Sequence, residues 1–272
     1  MSNLLHSQIA LLAKLAFGDL YDRLLGRSEL VRNEKRRWRK LNLKLRFLSP
    51  KLERGPFSGV AYLPRNSGAT YVLPKLLGTY ELELSESIER FVKLNMRSIV
   101  VIGAAEGYYA VGLAQRLAKA NVIAFEGAPK LRDLLARLAL QNNVRDRIEI
   151  KGFCAINDLV DLNPSSPCLV ICDVEGAERE LLDPQQVTFL CKAIVIVEVH
   201  EDTYGSQELR KLIEGRFSKT HSIQHVLPAA RLRSNLPAFP SFDEWEFAEL
   251  MYERSLSAQG WLVLVPLDAE SQ

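Results

Sequence analysis

The chain has 272 residues, of which 47% are apolar and 25% charged, with a formal net charge of +2. A chain of this length buries one large core with room for a small appendage, and its balanced charge excludes a molecule built as a whole to attract nucleic acid or an acidic membrane. No apolar run approaches the length of a bilayer span. Cys154, Cys168, Cys172 and Cys191 lack the paired spacing of a zinc knuckle or a thioredoxin-type site, so a soluble chain in a reducing cytoplasm is expected.

In chain order, residues 1–48 read as a basic helical arm. Its first part carries Leu4, Leu5, Ile9, Leu11, Leu12, Leu15 and Phe17, interrupted by His6, Lys14 and Asp19, which predicts an amphipathic helix rather than an export signal. Twelve Lys and Arg residues against three acids follow between Arg23 and Arg54, around the run from Lys35 to Lys40. Charge runs are most often solvated helix faces, so nucleic acid is not expected as a partner; the arm is a candidate surface for homo-oligomerisation. Residues 49–90 hold Pro50, Gly55, Pro56, Gly59, Pro64, Gly68, Pro74 and Gly78, which predicts loops and short strands. Helical spacing resumes over Glu81–Lys93, with Ile88, Phe91 and Val92 available to pack.

The remaining part, 91–272, alternates between strands and helices. Strands are expected at 98–103, 121–126, 147–151, 168–173 and 193–199, with helices at 107–119, 128–142 and 176–190 and a looser segment at 155–167. IVVIG, NVIAF, CLVICD and AIVIVEV are continuous apolar runs, so these strands are covered on both faces and belong to a mostly parallel, doubly wound α/β sheet. A helix at 206–217 and strands at His221–Leu227 and Trp261–Val265 complete seven strands. Between the last two, residues 228–258 read as an insertion over the active edge, with a helix opened by the capping pair Ser241 and Glu244.

Right-handed crossovers bring the carboxyl ends of the strands to one edge, where ligands bind in open α/β sheets. Gly103, Glu126, Asp173 and Glu198 all fall at such ends. The first turn reads Gly103, Ala104, Ala105, Glu106, Gly107, and it lacks the three-glycine spacing with which a dinucleotide's pyrophosphate approaches the backbone. A cofactor without phosphates, such as S-adenosylmethionine, needs only this tight turn, with Glu126 to accept its ribose hydroxyls. Tyr108 and Tyr109 open the following helix, one to pack under the sheet and the other to close over the cofactor. Asp173, Glu198 and His200 are the candidate catalytic groups, His200 as a general base near neutral pKa. The same three could hold a divalent metal, but no metal motif accompanies them, and none is expected.

VIGAAEGYYA, VIAFEG and LVICDVEGAERELL together resemble the class I S-adenosylmethionine-dependent methyltransferases, which have a Rossmann-like fold. The branch most similar is the FkbM-like one, whose D-x-E-G-x-E signature is matched by Asp173, Glu175, Gly176 and Glu178. The resemblance covers roughly residues 95–200. It implies that Gly103 and Gly107 line the methionyl part, that Ala104 and Tyr108 are further cofactor-binding residues, that Glu126 binds the ribose, that Phe153 and Cys154 border the adenine, and that Asp173 faces the methyl group or substrate. Val101 stands where such loops open with an acid, and Glu106 is the carboxylate available to meet the cofactor ammonium instead. The implied activity is O-methylation of a small molecule or saccharide. A cofactor-binding pseudo-enzyme or interaction module acting through the basic arm, and a nicotinamide oxidoreductase, are the competing functions.

Overall fold

The computed structural model describes residues 29–44, 50–63, 71–174, 176–199, 206–232, 242–251 and 260–268. The chain forms two compact units, Met1–Leu48 and Ser49–Gln272. In the first, α1 spans Glu29–Lys44; the predicted helix ahead of it lies outside the described residues.

The second unit is built on one seven-stranded sheet with strand order β3-β2-β1-β4-β5-β7-β6. Its strands are β1 (Ser98–Ile102), β2 (Asn121–Phe125), β3 (Ile148–Lys151), β4 (Cys168–Cys172), β5 (Ile194–Val199), β6 (His221–Val226) and β7 (Gly260–Pro266). The first five pair in parallel, and β7 runs antiparallel between β5 and β6. This is the doubly wound, mostly parallel sheet expected from the apolar runs, in the Rossmann-like arrangement that the resemblance implied.

Every residue of β1, β4, β5 and β7 is buried, because side chains that alternate across a strand meet a covering layer on either face. Ile99, Val101, Leu169, Ile171, Ile194 and Ile196 point to one core. Beneath it lie α3 (Ser85–Lys93), α4 (Tyr108–Arg116) and α5 (Pro129–Gln141). Val100, Ile102, Val170, Cys172, Val195 and Val197 point to the other core. That face is covered by α6 (Ile156–Val160), α7 (Glu178–Leu181) and α8 (Ser206–Phe217).

Three local expectations are corrected. The helix expected over 176–190 is only α7 and a separate 3-10 turn at Thr188–Lys192; Pro184 disfavours helix at the residue before it and cannot donate to the ladder. The region 49–90, expected as loops and short strands, also carries a helix and part of the core. Its only named bridge among the described residues is Lys51 with Ala61, its helix α2 is Val72–Leu77, and Phe57 packs edge-on against Tyr108 and Tyr109. In the insertion, α9 (Glu244–Met251) is opened by a reciprocal pair two residues later than expected. Asp243 Oδ1 accepts from the Glu246 amide and Glu246 Oε2 from the Asp243 amide, each at 2.9 Å; Ser241 lies outside the described residues. The insertion touches the early region at α9 against α2, and Arg231 pairs with Glu83 at 2.9 Å.

Candidate active site

The strand order reverses between β1 and β4, so their following loops diverge and open a crevice at the carboxyl edge. Backbone pairing fixes the rims of that crevice. The Gly103 and Ala104 amides donate to the Phe125 carbonyl at 3.0 and 2.9 Å, and the Asp173 amide donates to the Ile102 carbonyl at 2.9 Å. Gly103 has φ +83°, and a Cβ built on it would stand 1.8 Å from the Asp173 carbonyl oxygen. The two strand ends therefore touch through a position only glycine can fill. Gly107 has φ +102° and starts α4 against Leu135.

Between these glycines Ala105 is also left-handed, with φ 46°, and Glu126 holds it there. Glu126 Oε2 accepts from the Ala105 amide and Oε1 from the Ala128 amide, both at 2.8 Å. Arg132 secures the same turn through the Glu126 and Gly127 carbonyls at 2.8 and 2.7 Å. A carboxylate has about four lone-pair sites, so these two amides leave Glu126 capacity for further donors such as ribose hydroxyls. Structural and binding roles are compatible in this residue.

The opposite flank is acidic. Asp173 after β4, Glu198 in β5 and Glu81 before the 3-10 turn Leu82–Leu84 bring carboxylate oxygens within 4.8 Å of one another. Glu81 and Glu198 are 2% and 3% exposed. The Tyr109 hydroxyl donates to Glu81. Burial, then the Glu81 charge, holds that phenol well above its usual pKa, so it stays protonated as a donor. Such a group of oxygens suits a positive charge, whether a sulfonium, an ammonium or a hard divalent metal. The three groups weighed as metal ligands included His200, which lies outside the described residues; the group of oxygens observed contains Glu81. Glu81 carried no motif in the sequence, and its left-handed φ of 46° is not readable from YELEL.

Glu106 requires a correction. Expected to face a cofactor ammonium, it points into the core at 0% exposure, where its Oε1 already accepts from Lys75 and Tyr62. Lys75 is 2% exposed and lies 4.5 Å from the Tyr80 ring centroid. Burial and the Glu106 charge together raise the Tyr62 pKa well above its ordinary value, keeping that hydroxyl a donor. Glu106 Oε2 has no hydrogen-bond partner among the described residues. Lys75 was legible in principle, since one cation in the apolar run YVLPKLLG must be buried with a partner or end the run. Val101, where the resembled loops open with an acid, is interior on the α4 side of the sheet.

Tyr108 and Tyr109 are both buried, so neither closes over an open site as expected. Tyr108 lies edge-on to Phe57, Tyr62 and Tyr80. Phe153 is 76% exposed beside the Glu126 turn, and a Cβ on Gly127 would be 3.7 Å from its ring. It offers an open aromatic face there. Cys154 is buried behind it, with burial pushing its thiol pKa up to about 12. That makes it a packing residue rather than a nucleophile. Glu178 is buried with Oε2 accepting from the Gly176 amide at 3.0 Å, closing its own helix start; Glu175 lies outside the described residues.

No protein-family model and no curated protein match the sequence. Among solved structures, the chain is similar to the O-methyltransferase from Bacillus cereus in complex with SAH. That match has 15% identity and a TM-score of 0.45, and it covers 77% of this chain and 84% of that one. A second similarity is to the O-methyltransferase TomG from Streptomyces achromogenes in complex with SAM, at 17% identity, 67% and 78% coverage and a TM-score of 0.45. A third is to precorrin-6y C5,15-methyltransferase from Geobacter metallireducens, at 10% identity, 66% and 87% coverage and a TM-score of 0.44. At identities this low, function is argued from the chain's own residues.

Proposed function

We propose that the unit from Ser49 onward is an S-adenosylmethionine-dependent methyltransferase acting on an oxygen of a small molecule or saccharide, of the FkbM-like type. The observation that carries this reading is the convergence of Glu81, Asp173 and Glu198 within 4.8 Å at the sheet's switch point. Carboxylates grouped so closely repel a pyrophosphate and attract a cation. A nicotinamide dinucleotide brings two phosphates to this edge, whereas S-adenosylmethionine brings a sulfonium and an ammonium.

Once bound, S-adenosylmethionine supplies a methyl group on a good leaving group. The protein's own contribution is alignment of an acceptor hydroxyl and removal of its proton. Gly103 and Gly107 shape the turn, Glu126 is the ribose acceptor, and Phe153 is the adenine-side face. Asp173 and Glu198 are the described carboxylates placed to take the acceptor proton, with His200 a further candidate base.

Calorimetry with S-adenosylmethionine and with NADH tests the class: binding of the first alone is expected, and binding of neither, or of NADH alone, overturns it. Glu126→Gln keeps one acceptor oxygen for the turn but loses the charge. A charged hydrogen bond is worth about 1.5 to 3 kcal/mol, so affinity for S-adenosylmethionine should fall roughly tenfold to a hundredfold. An unchanged dissociation constant removes the ribose role. Asp173→Asn should still bind the cofactor, while turnover, followed as release of S-adenosylhomocysteine across an acceptor screen, falls by about a hundredfold or more. Retained turnover would assign the proton to another group. Binding without turnover by the unsubstituted protein on any acceptor favours the pseudo-enzyme reading.

A further inference from the structure

We propose that the exposed face of α1 is a docking surface for an anionic lipid bilayer. Seven of its 16 residues are Lys or Arg against two acids, while the whole chain is only +2, so the rest of the molecule is net acidic. The positive field is thus confined to this arm. Arg36, Arg39, Lys40 and Leu43 are exposed, and their spacing of i, i+3, i+4 and i+7 sets them on one stripe of the helix. Leu41, from the opposite side, is fully buried. The helix therefore keeps an apolar side covered and turns a cationic stripe outward, and the stripe ends in a leucine that is 55% exposed.

A cationic stripe that includes an exposed leucine fits a bilayer interface, where phosphate headgroups meet acyl chains. Single-stranded nucleic acid is instead held by basic grooves interleaved with exposed aromatic platforms. The one aromatic in α1, Trp38, is half-buried and off the stripe. The sequence ahead of the helix supplies a second bilayer signal. Leu4, Leu5, Ile9, Leu11, Leu12, Leu15 and Phe17 give it amphipathic spacing, and lasting membrane attachment generally combines an apolar element with a polybasic one. That segment lies outside the described residues and enters only through its composition.

The test is co-sedimentation of the full chain with vesicles of phosphatidylcholine alone and of phosphatidylcholine mixed with phosphatidylserine. Binding to the mixed vesicles is expected to be at least about tenfold tighter, and to weaken from physiological to molar salt as the screening length falls from about 8 to about 3 Å. Arg36→Gln/Arg39→Gln/Lys40→Gln removes three exposed charges without touching the core. It should cut partitioning by about a hundredfold, since each basic residue near such a surface contributes about fivefold. Leu43→Ser should weaken binding severalfold at equal charge. No binding, equal binding to both vesicles, or an unaffected triple variant overturns the proposal. So does binding of a single-stranded RNA oligonucleotide, sensitive to the triple variant, when vesicles do not bind. S-adenosylmethionine affinity should be the same in all these variants, which keeps the outcome separate from the methyltransferase reading.

Discussion

Gly103→Ala is expected to destabilise the protein by about 3 to 5 kcal/mol, combining a left-handed backbone penalty of about 1 to 2 kcal/mol with the cost of overpacking against rigid backbone. The added Cβ would stand 1.8 Å from the Asp173 carbonyl oxygen and 2.8 Å from its carbon, so no side-chain rotation relieves it. Either Gly103 or Asp173 must move, and both are rims of the crevice. Because the Ala104 amide is paired to Phe125 and the Asp173 amide to Ile102, displacement strains the ends of β1, β2 and β4 together.

Against a typical total stability of about 5 to 15 kcal/mol, this is a large fraction, and the thermal midpoint should fall by roughly 10 °C. Affinity for S-adenosylmethionine should fall as well. Gly127→Ala is the control in the same neighbourhood: its Cβ would meet only the Phe153 ring, at 3.7 Å, and a change within about 0.5 kcal/mol is expected. Equal midpoints for the two variants, measured by thermal melts, would show that the β1 and β4 ends are not held in contact.

The sheet was readable because strands buried on both faces leave an unambiguous trace. Val100 and Val101 face opposite cores, so neither could be polar, and the same holds through β4 and β5. Strand ends were readable with them, which is why Gly103, Glu126, Asp173 and Glu198 stood out. Short helices were harder, since α7 has four residues, too few to repeat a 3.6-residue period. The wall of the site built from 71–84 was less legible: a lone cation in an apolar run signals a buried partner without saying which. Lys75 and Glu81 reach it from far along the chain, and each is fixed by particular contacts rather than by a pattern, among them Glu106 for Lys75 and Tyr109 for Glu81. The sequence suggested the wrong task for Glu106 because its position in the glycine turn is conspicuous, whereas its direction depends on a lysine 31 residues upstream.

That lysine supplies the second large effect. Lys75→Met should cost about 3 to 5 kcal/mol, because removing one partner leaves Glu106 buried and uncompensated. Glu106 is fully buried, and its Oε2 has no hydrogen-bond partner among the described residues, so the Tyr62 hydroxyl would be the one donor left to the carboxylate among them. Glu106→Leu alone should be costly for the converse reason, stranding the Lys75 ammonium against Tyr80. Replacing the pair as Lys75→Met/Glu106→Leu removes both charges and keeps the volume apolar, which in buried pairs is often neutral or stabilising. The double variant should therefore recover most of the loss, and chemical denaturation of the unsubstituted protein, the two single variants and the double gives the coupling directly. Additive losses would mean the two side chains do not share one interaction. The pair also sets the turn between Ala105 and Gly107, so the single variants should weaken S-adenosylmethionine binding, and the double variant should not restore it fully. Stability would return with the charges removed, while the direction given to the turn by Lys75 would not.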